Sequence, residues 1–158
     1  MSLSLYSVQA FIVLDTEGNR VLAKYYRHPQ GESKEFQALK DQKAFEKGLW
    51  QKTKKAGGEF FDFSPFSGPT RFPGDIVLYD SHLVVFKHSL DLILYFVAGQ
   101  TENEIMLHAA LTSFAEALSM LLRNSLERRG VLENLDLVLL CLDETIDDGY
   151  RPYVIIIS

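Results

Sequence analysis

Hydrophobic alternation at the start of the chain predicts a central β-hairpin. Between residues 8 and 14, large apolar side chains occupy positions on both sides of the predicted strand. Such a strand must be covered on both faces, so we place it in the middle of a sheet. Turn formers follow at residues 15–19, where Gly18 can adopt a positive φ angle. The second strand, residues 20–26, is expected at the sheet edge with Lys24 and both of its tyrosines facing outward.

Residues 76–97 form a second β-prone region. Its apolar runs are separated by two-residue breaks, and such short connections require antiparallel neighbours. The predicted strands are residues 76–79, 82–87 and 90–97, with turns at 80–81 and 88–89. The last of these strands is apolar on both faces, so we expect it beside the first strand, with Asp91 as a turn-end or capping residue. Together with the hairpin, this predicts five antiparallel strands.

A helix with two apolar stripes is predicted between the hairpin and residue 76. We expect it to begin at an N-cap, Ser33, and to stop at the glycine pair 57–58. One stripe comprises Ala38, Phe45 and Leu49, and the second comprises Phe36, Leu39 and Trp50. The first stripe suits packing on the sheet. The second needs cover either from another part of this chain or from another protein, and both alternatives stay open.

The C-terminal third of the chain has the pattern of helices. Thr101 and Glu104 fit a capping box, which predicts a helix start, and apolar residues then recur at helical spacing. Arginines accumulate between residues 123 and 129, and Gly130 is the expected end of this helix. A further helix is expected at about residues 132–146. The predicted class is therefore α+β, an α/β/α sandwich with one helix on one face of the sheet and two or more on the other.

Two segments depart from this regular pattern. Residues 57–75 are rich in glycine and proline yet contain five phenylalanines. We predict a long loop there, either a plain surface insertion or an adhesive segment docked on the helix or on a partner. Residues 154–157 are apolar and β-prone, which makes them a poor free terminus. We expect them to dock as a strand or to lie in a groove.

Composition and charge narrow the class of protein. A chain of 158 residues, 47% hydrophobic, suits one domain over residues 1–158. Its net charge of −5 argues against a nucleic-acid partner. Cys141 is the single cysteine and lies in an apolar run, so we expect it to be buried in a protein of the reducing cytoplasm. No signal peptide or membrane-spanning run is recognised, so contact with membranes is expected only through partners.

The sequence contains no recognised motif for catalysis, metal binding or cofactor binding. Nucleophile elbows and zinc-protease, CxxC, Walker and dinucleotide-binding patterns are all missing. The four histidines are scattered and lack the paired spacing of metal ligands. The acidic residues at 143–144 and 147–148 lack the alternating donors and central glycine of a calcium loop. We therefore expect no catalytic residue, no cofactor and no metal, and a solvated acidic helix end.

Four segments, in this order along the chain, resemble one family. They are LDTEGNRVLAKYY at 14–26, QKAFEKGLWQKT at 42–53, LVVFKHSLDLILYFVAG at 83–99 and LLCLDETIDDG at 139–149. Together they resemble the coatomer zeta subunits and, more distantly, the sigma subunits of clathrin adaptors. The resemblance spans nearly the whole chain and implies a longin-like fold. The chain departs from the family pattern in the 57–75 insertion and in its ending after Gly149.

The resemblance also implies a function without catalysis. The chain would be a small subunit of the COPI vesicle coat, bound by the trunk of the coatomer gamma subunit and accompanied by the remaining coatomer subunits in the assembled coat. It would support retrograde Golgi-to-ER and intra-Golgi transport and lie peripherally on Golgi membranes and COPI-coated vesicles. A small GTPase of the ARF type would reach it only indirectly, through the large subunits.

Two other functional classes stay open. One is another longin-like trafficking module, such as a clathrin-adaptor sigma-type subunit or a scaffold that regulates a GTPase or a SNARE. The other is a small-molecule sensor or enzyme, which would need a deep pocket with convergent polar groups. For a partner interface, we expect contributions from the second helical stripe and from the predicted edge strand. These residues are Phe36, Leu39, Trp50, Lys24 and Tyr26.

Overall fold

The computed structural model describes residues 8–26, 38–54, 76–146 and 155–157. The strands in these ranges are β1 (Val8–Asp15), β2 (Arg20–Tyr25), β3 (Ile76–Tyr79), β4 (His82–Ser89), β5 (Leu92–Gly99) and β6 (Ile155–Ile157). The helices are α1 (Leu39–Thr53), α2 (Glu104–Leu121), α3 (Arg128–Glu133) and α4 (Leu135–Thr145). The predictions for Phe36 and for the 57–75 loop fall outside the described residues.

The strands form one antiparallel sheet in the order β3-β4-β5-β1-β2-β6. All five predicted strands are present, and β1 pairs with β5 at the centre, as predicted; Ile12, for example, lies opposite Tyr95. The expectation that the terminal segment docks as a strand is confirmed for residues 155–157, which pair with β2. The predicted edge position of β2 was wrong, because β6 bonds to its outer backbone groups.

Helices cover both faces of the sheet and bury two separate apolar clusters. On one face, Phe45 and Leu49 of α1 pack with Ile12 and other residues of β1, β2, β4 and β5. On the other face, α2 and α4 pack with the residues of β1 and β5 that point the opposite way, with Phe114 of α2 among them. Alternate residues of the central strands therefore belong to different clusters. This arrangement confirms the predicted α+β sandwich with one helix on one face.

Two helices begin later than predicted. The N-cap of α1 is Ala38, which makes no capping hydrogen bond through its side chain, so Ser33 is not the cap. The capping box at Thr101 was also wrong, because Asn103 is the N-cap of α2 and its side-chain oxygen accepts hydrogen bonds from the amides of the second and third helical residues. Asparagine is among the strongest N-cap residues, so it sets the helix start here.

The helix after β5 is also shorter than its pattern suggested. It ends at Leu121 because Arg123 and Asn124 adopt positive φ angles of 53° and 64°, which a right-handed helix cannot contain. Gly130 does not end this helix but lies buried inside α3. A Cβ atom there would stand 2.2 Å from the Ser125 carbonyl oxygen, so this position requires glycine for close backbone contact.

The turn between β4 and β5 lies two residues further along than predicted. Ser89 pairs with Leu92 across the ladder, which leaves Leu90 and Asp91 as the turn. Leu90 has a φ of 39° and is 76% exposed, although leucine rarely adopts that conformation. The predicted capping role of Asp91 is confirmed, since its carboxylate accepts a hydrogen bond of 2.9 Å from the Arg128 amide at the start of α3.

Candidate partner-binding surface

A buried ion pair ties α1 to β2. The Arg20 Nε donates to Glu46 Oε2 at 2.9 Å and its Nη2 donates to Glu46 Oε1 at 2.5 Å, with both side chains under 5% exposed. The Tyr25 hydroxyl donates to the same Oε1 at 2.7 Å. Burial and then the Glu46 charge raise the pKa of Tyr25, which keeps its hydroxyl a donor. These directional contacts fix the position of α1 over β2.

Trp50 on α1 is partly covered by the chain itself. Its ring lies on the β1–β2 turn, where a Cβ added to Gly18, whose φ is +85°, would stand 2.5 Å from Cδ2 of the indole. The Lys54 ammonium lies 4.6 Å from the centre of the Trp50 ring. Within the described part of the chain, the buried indole Nε1 has no hydrogen-bond partner. Packing within the chain therefore covers part of the second apolar stripe of α1.

Several large apolar side chains remain exposed among the described residues. Leu39, in the first turn of α1, is 46% exposed and fits the predicted interface. The full set is Leu39, Leu78, Leu90, Ile105, Met120, Leu121 and Leu140. Four of these seven belong to α2 and α4, and none of the four was among the predicted interface residues. Helical periodicity could have indicated this surface, because Met120 and Leu140 fall outside the buried stripes of their helices.

Lys24 and Tyr26 do not face outward, and neither does Tyr25, which is buried and bonded to Glu46, so the prediction for all three residues was wrong. The Lys24 side chain is only 7% exposed, and its Nζ lies 2.6 Å from Oδ1 of Asp143 at the end of α4. The ammonium also lies 5.3 Å from the centre of the Tyr26 ring. Burial and the Asp143 charge raise the pKa of Tyr26. These two residues pack on the α4 side of the sheet, because β6 and α4 cover what was predicted to be an open edge.

The predicted interface residues therefore do not form one site. Leu39 and Trp50 lie on the α1 side of the sheet, whereas Lys24 and Tyr26 lie on the α4 side. Phe36 lies outside the described residues. What the structure offers is two surfaces, one on each face, with apolar side chains available to a partner.

Among the described residues, no three His, Cys, Asp and Glu side chains are grouped so that they could hold a metal ion. The His82 Nδ1 lies 2.6 Å from the Asp80 carbonyl oxygen, in a packed turn. Cys141 packs against the α2–α4 cluster, as expected, although it is half-buried rather than buried, and burial raises the pKa of its thiol. Of the helices described, none is both long and apolar enough to cross a bilayer.

Comparison with known proteins identifies the class. The profile of the clathrin adaptor complex small chain family matches residues 7–151. The fold is also similar to a chain in a homology model of the full-length AP-3 complex in a stretched open conformation. That similarity has a TM-score of 0.59 and 17% identity, and covers 90% of this chain and 82% of the other. The AP-3 likeness shows the longin-like adaptor-subunit fold alone. The chain belongs to the clathrin adaptor small-chain family.

Similar proteins within that family include coatomer zeta subunits. The zeta subunit of Saccharomyces cerevisiae is 39% identical over 152 residues, which cover 94% of this chain and 72% of that protein. Zeta-3 of Oryza sativa subsp. japonica is 41% identical and covers 90% of this chain and 71% of its own length. Zeta-1 of Homo sapiens is 36% identical, covering 92% and 70%. The resemblance seen in the four sequence segments is thereby confirmed.

Proposed function

We propose that this protein is a non-catalytic small subunit of the COPI vesicle coat that binds the trunk of the coatomer gamma subunit. The observation that carries the proposal is the identity of 36–41% to coatomer zeta subunits over at least 90% of the chain. We treat residues 1–158 as one longin-like domain. Its role is to support coat assembly for retrograde Golgi-to-ER and intra-Golgi transport, together with the remaining coatomer subunits.

The proposal includes where the subunit acts. It lies in the cytoplasm and peripherally on Golgi membranes and COPI-coated vesicles, which it reaches through the complex. An ARF-type GTPase acts on it indirectly, through the large subunits. The described surface supports a role as a coat subunit. It carries exposed apolar side chains on the helices of both faces, and subunit interfaces are typically built around such residues.

The proposed contacts with the gamma subunit begin on the flank of α1. Leu39 and the exposed part of Trp50 form this contact, with Phe36 as a further candidate. Lys24 and Tyr26 would contribute to a second, separate contact on the α4 side, where a partner would have to share or displace the Lys24–Asp143 ion pair. Leu39 is the sharpest test, because it is exposed and its replacement disturbs little packing within the chain.

The test is reconstitution with the gamma-subunit trunk. The full chain is co-expressed with the trunk, and the dissociation constant of the heterodimer is measured for wild type, Leu39→Ser and the control Leu90→Ser. Leu90 is also an exposed leucine, but it lies at the β4–β5 turn. We expect Leu39→Ser to weaken binding about five- to tenfold, from the apolar area that it no longer buries, and Leu90→Ser to leave binding unchanged.

Two outcomes would count against the proposal at different levels. A folded wild-type chain that does not bind the gamma trunk would overturn the proposed function. An unchanged dissociation constant for Leu39→Ser, with wild-type binding intact, would remove Leu39 from the interface and leave the function standing.

A further inference from the structure

The outer side of α1 and its C-cap residue carry a row of lysines. Lys40, Lys43, Lys47 and Lys54 follow one another at spacings of three, four and seven residues, which places them on one side of the helix. All four are exposed, and they lie opposite the buried Leu49. We call these four residues the lysine stripe.

The lysine stripe is not neutralised within the part of the chain that the structure describes. None of the ion pairs found there includes one of its four residues. α1 has two acidic residues: Glu46 is buried and bonded to Arg20, and the exposed Asp41 is in none of the ion pairs found among the described residues. The Lys54 ammonium lies over the Trp50 ring, which is not a carboxylate partner. The chain as a whole carries −5, so this concentration of positive charge runs against its overall composition.

The stripe also makes α1 less stable than a mixed surface would. Like charges three or four residues apart repel one another along a helix. Lys40 and Lys43 lie near the N-terminal end of α1, where the helix dipole disfavours cations. Exposure excludes a packing role for these side chains. An anionic surface placed against the helix would relieve both effects.

We propose that the lysine stripe is a contact surface for an anionic lipid bilayer, an inference that rests on the proposed function because a coat subunit works at a membrane. The stripe is about 21 Å long at the rise of an α-helix. Ala44 and Gln51 lie between its lysines, and the Trp50 ring beside Lys54 is held against the β1–β2 turn, so the stripe offers no free apolar wedge. Contact is therefore electrostatic, without insertion of side chains into the hydrocarbon.

The side chains favour lipid headgroups over an acidic protein segment. Lysine ammoniums are point charges on flexible stems, and they lack the planar fork with which arginine fixes a carboxylate in one geometry. A bilayer offers many mobile anionic headgroups and needs no fixed register. The proposed gamma contact can coexist with this surface, because Leu39 and Trp50 share one flank of α1. The other lysines, Lys40, Lys43 and Lys47, lie opposite the buried Leu49 and point away from the sheet.

The experiment measures binding of the full chain to lipid vesicles. Vesicles of phosphatidylcholine are compared with vesicles that also contain about 30% phosphatidylserine, at about 0.05 M and about 0.3 M salt. The stripe variant carries Lys40→Gln, Lys43→Gln and Lys47→Gln. The matched control carries Arg123→Gln, Arg128→Gln and Arg129→Gln, which removes the same charge from exposed residues between α2 and α4. Circular dichroism checks that both variants are folded.

We expect wild type to prefer the anionic vesicles at low salt and to lose that preference at high salt. Each lysine near an anionic bilayer strengthens binding about fivefold, so the stripe variant should lower the partition coefficient by roughly a hundredfold at low ionic strength. The arginine control should change it by no more than a few fold, which would show that position and not net charge is responsible.

Three results would overturn the inference. These are a wild-type chain without preference for anionic vesicles at low salt, equal losses in the two triple variants, and loss of gamma-trunk binding in the folded stripe variant, which would make the stripe a protein contact. The proposed function is judged separately. A wild-type chain that binds the trunk but not the vesicles contradicts this inference alone.

Discussion

The two faces of the sheet are held to their helices in different ways. Among the described residues, the α2–α4 face buries 22 apolar residues in one cluster, whereas the α1 face buries 12 and adds the Arg20–Glu46 ion pair with Tyr25. Within this part of the chain, α1 therefore has less apolar area with which to define its position. Directional polar bonds therefore fix the α1 layer, whereas apolar area stabilises the α2–α4 layer.

The largest expected effect comes from removing an aromatic ring from the apolar cluster on the α2–α4 face. Phe114 of α2 is fully buried and meets the ring of Phe11 edge-on, with centroids 5.2 Å apart. Phe114→Ala should lower the free energy of unfolding by about 3–5 kcal/mol, because it removes apolar contacts and leaves a cavity. Chemical denaturation measures this effect. Met120→Ala, at an exposed position of the same helix, is the control and should change stability by less than about 0.5 kcal/mol.

The second-largest expected effect comes from breaking the ion pair between α1 and β2. Glu46→Ala leaves the buried Arg20 guanidinium without its carboxylate, so we expect a loss of about 3 kcal/mol in denaturant unfolding. The double variant Arg20→Met, Glu46→Leu removes both charges and should recover most of that loss. If the double variant were as unstable as Glu46→Ala, the cost would come from lost packing and the contrast between the two faces would fail.

The smallest effect tests an ion pair on the other face. Asp143 is 59% exposed, unlike Glu46, although its partner Lys24 is buried. Asp143→Asn should therefore cost only about 1 kcal/mol or less, as solvent screens the charge that it removes. A loss as large as that of Glu46→Ala would show that the α2–α4 face also depends on a buried charge.

The hydrophobic pattern predicted most of the fold. The prediction that β1 and β5 lie in the centre of the sheet was correct. A strand buried on both faces has apolar residues at successive positions, and the sequence shows this directly. Helix and turn ends were less predictable. The end of α2 depends on positive φ angles at Arg123 and Asn124, which no glycine or proline announces.

The candidate surface was harder to predict, because its geometry depends on distant parts of the chain. Lys24 was expected to face solvent, but its partner Asp143 is 119 positions away and the strand that covers β2 comes from residues 155–157. Arg20 and Glu46 likewise meet only after α1 folds onto the sheet. Trp50 and Leu39 share a stripe by periodicity, yet only the position of the β1–β2 turn determines that Trp50 is the more covered of the two.

The most direct test of the proposed function is purification of the tagged full chain from its own cells, followed by mass spectrometric identification of its partners. We predict that the coatomer gamma subunit is recovered in an amount equal to that of the tagged chain, together with other coatomer subunits. Recovery of an adaptor large subunit, a GTPase or a SNARE in place of the gamma subunit would contradict it.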